Sequence, residues 1–216
     1  MAVGAAYLFK YFERYQSSVR SCIVHCAADK RGAKMKKVVL LGDSIRLIGY
    51  GKKVEEMLRP EYEVWQPEDN CRFAKYTLRM VFDYQEHIKD ADIVHWNNGL
   101  WDVCDIFGDG PFSSLDEYVK NMLRILEILQ GWGCKVIFAT TTPTHPEYTY
   151  EAYDRTIEYN EAIVAELQKR GVIINDLFAT MLNHRIEGIC EDQIHLNEKG
   201  IELCAEQVVK AIRGVN

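Results

Sequence analysis

Apolar residues recur in two rhythms along this chain. Short unbroken runs rich in β-branched residues alternate with longer stretches where apolar positions return every three or four residues. A run as short as Val38-Val39-Leu40-Leu41 is too brief for a helix and fits a strand buried on both faces. Further strand-like segments are Tyr62–Trp65, Asp92–Asn97, Lys135–Thr141 and Val172–Asn175. Between them lie helical patterns. One runs through Val54, Met57 and Leu58 and stops at Pro60. A second spans Phe73–Ile88. A third opens on a capping box, Ser114 with Glu117, and runs to Leu129 before Gly131. The remaining helical segments are Tyr153–Arg170, a short Asp176–Met181, and Asn197–Ile212.

Five strands alternating with helices predict an α/β protein. The expected architecture is a three-layer α/β/α sandwich around a five-stranded parallel sheet. Ligands of such sheets bind beyond the carboxyl ends of the strands. Attention therefore falls on residues 43–44, 66–72, 97–102 and 141–145, and on the loop before the last helix.

Composition narrows the class. A chain of 216 residues that is 48% apolar and 27% charged is long enough to bury a real core as one domain. Its net charge of −6 gives no support to a nucleic-acid partner. No apolar run is long enough for stable membrane insertion. Seven cysteines in no regular framework point to reduced thiols and a cytoplasmic location. The amino-terminal end differs from the rest: its first 34 residues hold six Lys/Arg against two Asp/Glu, leaving −10 on the remainder. Met35-Lys36-Lys37 resembles a start of translation. Residues 1–35 are thus expected to be an extension outside the core, and residues 36–216 the folded domain. Ala5–Val19 has amphipathic spacing. Cys22, His25 and Cys26 are metal-ligand types, but no second pair matches them, so no metal is expected.

Two places carry candidate chemistry. Gly42-Asp43-Ser44 ends the first strand where a helix begins. A serine there sits among backbone N–H groups at a helix start, which suits developing negative charge. The plainer account is a helix N-cap. Before the last helix stands Asp192-Gln193-Ile194-His195. An Asp three residues before a His can accept its Nδ1–H and fix the tautomer, leaving Nε2 to take a serine proton. Either motif alone is common. Both fall on the same predicted edge of the sheet.

With these residues in view, the chain resembles the SGNH (GDSL-type) hydrolases. Gly42-Asp43-Ser44 and Asp192-x-x-His195 match that family's first and last sequence blocks, and the resemblance spans all but roughly the first 35 residues. It implies a flavodoxin-like fold and esterase or acyl-hydrolase activity. It implies Ser44 as nucleophile, His195 as base and Asp192 as its orienter, with no cofactor and no metal. The middle blocks depart from the usual pattern. The second-loop glycine is missing from Pro67–Phe73, so Cys71 N–H, Arg72 N–H or the Asn70 amide is left as oxyanion donor. The third block reads Gly99-Leu100-Trp101-Asp102, with Trp101 where the family has Asn. That resembles a branch with an Asn-x-Gly-Leu-(His/Trp)-Asp block and directs attention to Asn98. The oxyanion hole expected here is Ser44 N–H with Asn70 and Asn98.

Trp101, Arg72 and His145 are the candidate substrate contacts, and Arg46 flanks the same face. Trp65 and Trp96 fit core packing better. Cys71 and Cys104 have no paired base in sequence and rival Ser44 poorly. The implied substrate is a small-molecule or carbohydrate ester with a short acyl group, such as acetyl. The alternatives are an acyltransferase or lysophospholipase with the same triad, and a non-catalytic ligand-binding member of the fold. The sequence says nothing of oligomeric state.

Overall fold

The computed structural model describes residues 34–150 and 153–215. The expectations for the amino-terminal extension, including its amphipathic stretch and Cys22, His25 and Cys26, lie outside these residues. Among them, five strands form one sheet: β1 (Lys36–Leu41), β2 (Tyr62–Trp65), β3 (Ile93–Asn97), β4 (Lys135–Ala139) and β5 (Ile173–Asn175). All neighbours pair in parallel, in the order β2-β1-β3-β4-β5.

Helices cover both faces, because each buried strand presents apolar residues both ways. Val39, Leu41, Val94, Trp96 and Phe138 point into one layer. It is closed by α2 (Ala74–Asp83), α3 (Gln85–Ile88), α5 (Leu115–Gly131) and α6 (Tyr153–Gln168). Val38, Leu40, Ile93 and Ile137 point into the other. There α1 (Gly51–Leu58), α7 (Leu177–Leu182) and α8 (Glu198–Arg213) supply Val54, Leu58, Met181 and Val208. Each such side chain contributes roughly 1.5–3 kcal/mol when fully buried. The three-layer α/β/α sandwich expected from the apolar rhythm is the one found. No helix among the described residues is long and apolar enough to cross a membrane.

Three local features differ from the sequence expectation. The single helix over Phe73–Ile88 is two helices, since Tyr84 leaves helical geometry at φ −105°, ψ 17°. The segment after Gly99 opens with a one-turn helix, α4 (Leu100–Val103). Ile45–Tyr50, after the serine, is a π-helical turn kinked at Gly49.

The strand order places a topological switch point between β1 and β3. The chain leaves β1 toward one edge of the sheet and β3 toward the other, which opens a crevice above their carboxyl ends. Leu41 pairs with Trp96, so Gly42 lies next to Asn97. A Cβ on Gly42 would stand 2.0 Å from Asn97 Oδ1, which restricts this position to glycine. Gly99, at φ +153°, is pressed as closely on Thr141.

Asp102 joins the loops around this crevice. Its fully buried carboxylate accepts the Ala74 N–H at 3.0 Å, capping α2, and the Ser113 hydroxyl at 2.6 Å. Burial pushes this carboxyl up to about 7, against the pull of those two hydrogen bonds. The folded chain then holds a proton that the unfolded chain releases near pH 4, so Asp102 erodes stability as pH rises from about 4 to about 7. In Asp102→Asn the amide can keep both contacts without the charge. Thermal melts from pH 4 to 8 should show wild type losing several degrees more than the variant as pH rises. Equal losses would refute this account.

Candidate functional site

Ser44 follows β1 at the mouth of the crevice and is half-buried. Its backbone is already helical (φ −62°, ψ −27°) and its side chain makes no capping bond. The N-cap account of this serine therefore fails. Asp43 does that work instead. Its Oδ1 accepts Ile45 N–H at 3.0 Å, and its carbonyl accepts Arg46 and Leu47 N–H. Asn97 Nδ2 donates to the same Oδ1 at 2.9 Å, and Tyr50 donates its hydroxyl to Asn97 Oδ1 at 2.7 Å. Burial pushes the Asp43 carboxyl up, while the bonds from Asn97 and Ile45 and the nearby Arg46 guanidinium pull it back. Among the described residues, no hydrogen bond takes up the Ser44 hydroxyl or its backbone N–H.

Arg46, expected to flank this face, does not reach solvent. It is fully buried and works as a strut: its guanidinium donates to the carbonyls of Pro67 and Asp69 at 2.7 Å each, and to that of Gly42 at 3.1 Å. It thereby draws the second loop over the end of β1. The same packing removes two of the candidate oxyanion donors, because Cys71 N–H goes to the Gly42 carbonyl and Arg72 N–H to Asn70 Oδ1. Cys71 Sγ accepts the Gly42 N–H at 3.2 Å, and burial pushes its thiol up, which makes it a poor nucleophile. Asn70 is half-buried, and its Nδ2 serves no acceptor among the described residues.

Asn98 also departs from its expected role. Its amide faces into the protein, donating to the Arg72 carbonyl at 2.7 Å. Its oxygen accepts Trp96 Nε1 at 2.5 Å and Thr77 Oγ1 at 2.8 Å. With no exposed surface, the Asn98 amide braces the second loop and is not turned to the crevice. Successive strand residues point to opposite sides, so Asn97 and Asn98 serve different layers.

The last loop holds the expected acid–histidine pair. Asp192 Oδ2 lies 2.7 Å from His195 Nδ1, while Oδ1 accepts the N–H groups of Ile194 and His195. Partial desolvation pushes the Asp192 carboxyl up, but those three hydrogen bonds outweigh it and hold it below the usual carboxylate range. A left-handed residue, Gln193 (φ +68°), lets the chain double back between the pair. Asn197 caps α8 through the N–H groups of Lys199 and Gly200. His195 Nε2 makes no hydrogen bond among the described residues. The loop is seated on the serine turn, where Leu196 packs over Gly49.

The remaining candidates sit on the segments that follow β2, β3 and β4. His145 N–H donates to the Gln193 carbonyl at 2.9 Å, fixing the fourth loop against the histidine loop, while its Nδ1 accepts Glu147 N–H. Arg72 lies over the Tyr76 ring, 4.8 Å from its centroid. Trp101 meets Phe73 edge-on at 5.3 Å. Among the described residues no cluster of His, Cys, Asp and Glu could hold a metal ion. Sequence reasoning missed Asn97, Tyr50 and Asp102. Asn97 alone had a visible signal, since it shares the sheet face of Ile93 and His95 and ends the strand.

Scans against protein-family models and against curated proteins found no match. Solved structures did match. An acetyl xylan esterase aligns with TM-score 0.69 and 20% identity over 82% of this chain and 99% of that one. A GDSL-like lipase from Bacteroides thetaiotaomicron aligns with TM-score 0.67 and 16% identity over 96% and 98%. An acetylxylan esterase from Geobacillus stearothermophilus gives 0.69 and 16% over 84% and 95%. At these identities the likeness is one of fold, and this chain has the α/β/α fold of the GDSL-type hydrolases.

Proposed function

We propose that this chain is a serine esterase acting on a short-chain ester, such as acetyl on a carbohydrate. One observation carries the reading. Among the described residues nothing binds the hydroxyl of the serine at the switch point of the sheet, and the loop packed on the turn that follows it carries a histidine whose Nδ1 is held by an aspartate. In this mechanism His195 takes the Ser44 proton as Oγ attacks the ester carbonyl. Asp192 steadies the imidazolium. Ser44 N–H and Asn70 Nδ2 donate to the oxyanion. Loss of the alcohol leaves an acyl-serine, and water activated by His195 releases the acid. The names of the structural neighbours, acetyl xylan esterases and a GDSL-like lipase, favour an ester substrate. The free thiols of Cys71, Cys134, Cys190 and Cys204 suit a reducing cytoplasm.

Hydrolysis of short and long p-nitrophenyl esters tests this. Wild type should prefer acetate, and Ser44→Ala should lower kcat by about 10⁴-fold or more. Equal activity in the two proteins would sink the mechanism. The two asparagines should separate by readout. Asn70→Ala is expected to lower kcat by about 10²–10³-fold with little change in Tm, as for loss of one oxyanion donor. Asn98→Ala should lower Tm by several degrees, because Trp96 Nε1 and Thr77 Oγ1 lose a buried acceptor.

A further inference from the structure

Outside the catalytic crevice, an open groove of about 430 Å³ runs between α2 and the start of α5. That volume lies within the roughly 300–1,000 Å³ usual for ligand sites. Phe73, Tyr76 and Phe112 give it aromatic walls, and Lys75, Arg79 and Glu117 a polar rim. Phe112 is 42% exposed, so its ring is open to a ligand, and Phe73 backs it edge-on at 5.5 Å.

The charges on the rim are already balanced. Lys75 Nζ meets Glu117 at 2.8 Å across the groove, and Arg79 pairs with Asp83 at 2.7 Å. A charged ligand would have to break a pair. A long acyl chain would leave these groups desolvated beside it. A neutral ring with hydroxyls at its edge and C–H groups on its faces needs neither: the faces stack on aromatic rings while the hydroxyls accept from Lys75 and donate to Glu117.

The groove adjoins the second and third loops through Phe73. Phe73 directly follows the loop that carries Asn70 and Arg72, and its ring also meets Trp101, two residues after Gly99. We propose that this groove binds a neutral pyranose ring of an oligosaccharide ester, a neighbour of the ring whose acyl group meets Ser44. The proposal rests on the esterase reading above and names the part of the substrate that lies beyond the scissile bond.

Partially acetylated xylotetraose and p-nitrophenyl acetate, assayed side by side, test it. Phe112→Ala should raise KM for the oligosaccharide and lower its kcat/KM, relative to that for p-nitrophenyl acetate, by about 3–10-fold, the value of one aromatic contact. Phe112→Trp should restore or improve the ratio. A second readout needs no turnover: unacetylated xylotetraose should perturb wild-type tryptophan fluorescence through Trp101, and do so more weakly in Phe112→Ala. An unchanged ratio, or xylotetraose binding equal in the two proteins, overturns the proposal. If Ser44→Ala still cleaves the ester, the esterase reading is what fails. Calorimetry with xylotetraose on that variant still reports on the groove.

Discussion

The site depends first on how the Asp43 carboxylate is held. A buried carboxylate at the end of a central strand is costly unless hydrogen bonds satisfy it. Asn97 and the Ile45 N–H provide that, and Tyr50 orients Asn97. Because Asp43 caps the turn, Ser44 need not. Everything proposed for this serine follows from that division of labour between neighbours. Gly42 belongs to the same constraint, since any side chain there would displace Asn97.

Around this centre the loops are drawn inward by side chains from neighbouring strands and turns. Arg46 holds the second loop from the turn after β1, Asn98 holds it from the residue just past β3, and Asp102 fastens the helix that follows it. The fourth loop is held by Asn160, which exchanges two hydrogen bonds with the Thr141 backbone, and by Arg185, which donates to the Thr144 carbonyl. Little of the crevice wall is free to rearrange without breaking a buried contact. Such rigidity suits a mechanism that relies on donors fixed before the charge develops.

Much of the fold was legible because each central strand is a run of apolar residues and each long helix an amphipathic one. Val38–Leu41 and Leu115–Leu129 needed no tertiary information. The break at Tyr84 and the π-helical turn after Ser44 were not legible, because tertiary packing rather than local propensity sets them. Ser44, Asp192 and His195 were visible as motifs, since a strand exit and a short loop fix their local geometry. The donors beside them were harder to read. Whether Asn70 or Asn98 faces the crevice depends on which of them finds partners inside. Asn98 finds Trp96, Thr77 and Arg72, all through the tertiary fold. The anchoring role of Arg46 was hidden for the same reason: a lone arginine after a strand gives no sign that three carbonyls await it.

Those anchors share one property. Arg46, Asn98 and Arg185 all grip main-chain carbonyls, which every amino acid possesses. The gripped positions, Pro67, Asp69, Arg72 and Thr144, contribute backbone atoms to these contacts, and other residues there could be held in the same way. A scaffold built like this uncouples the shape of its loops from their spelling. The second loop carries no glycine and still arches over the first strand. The path of the chain can then stay the same while the letters change, and this chain shares its fold with proteins only 16–20% identical to it.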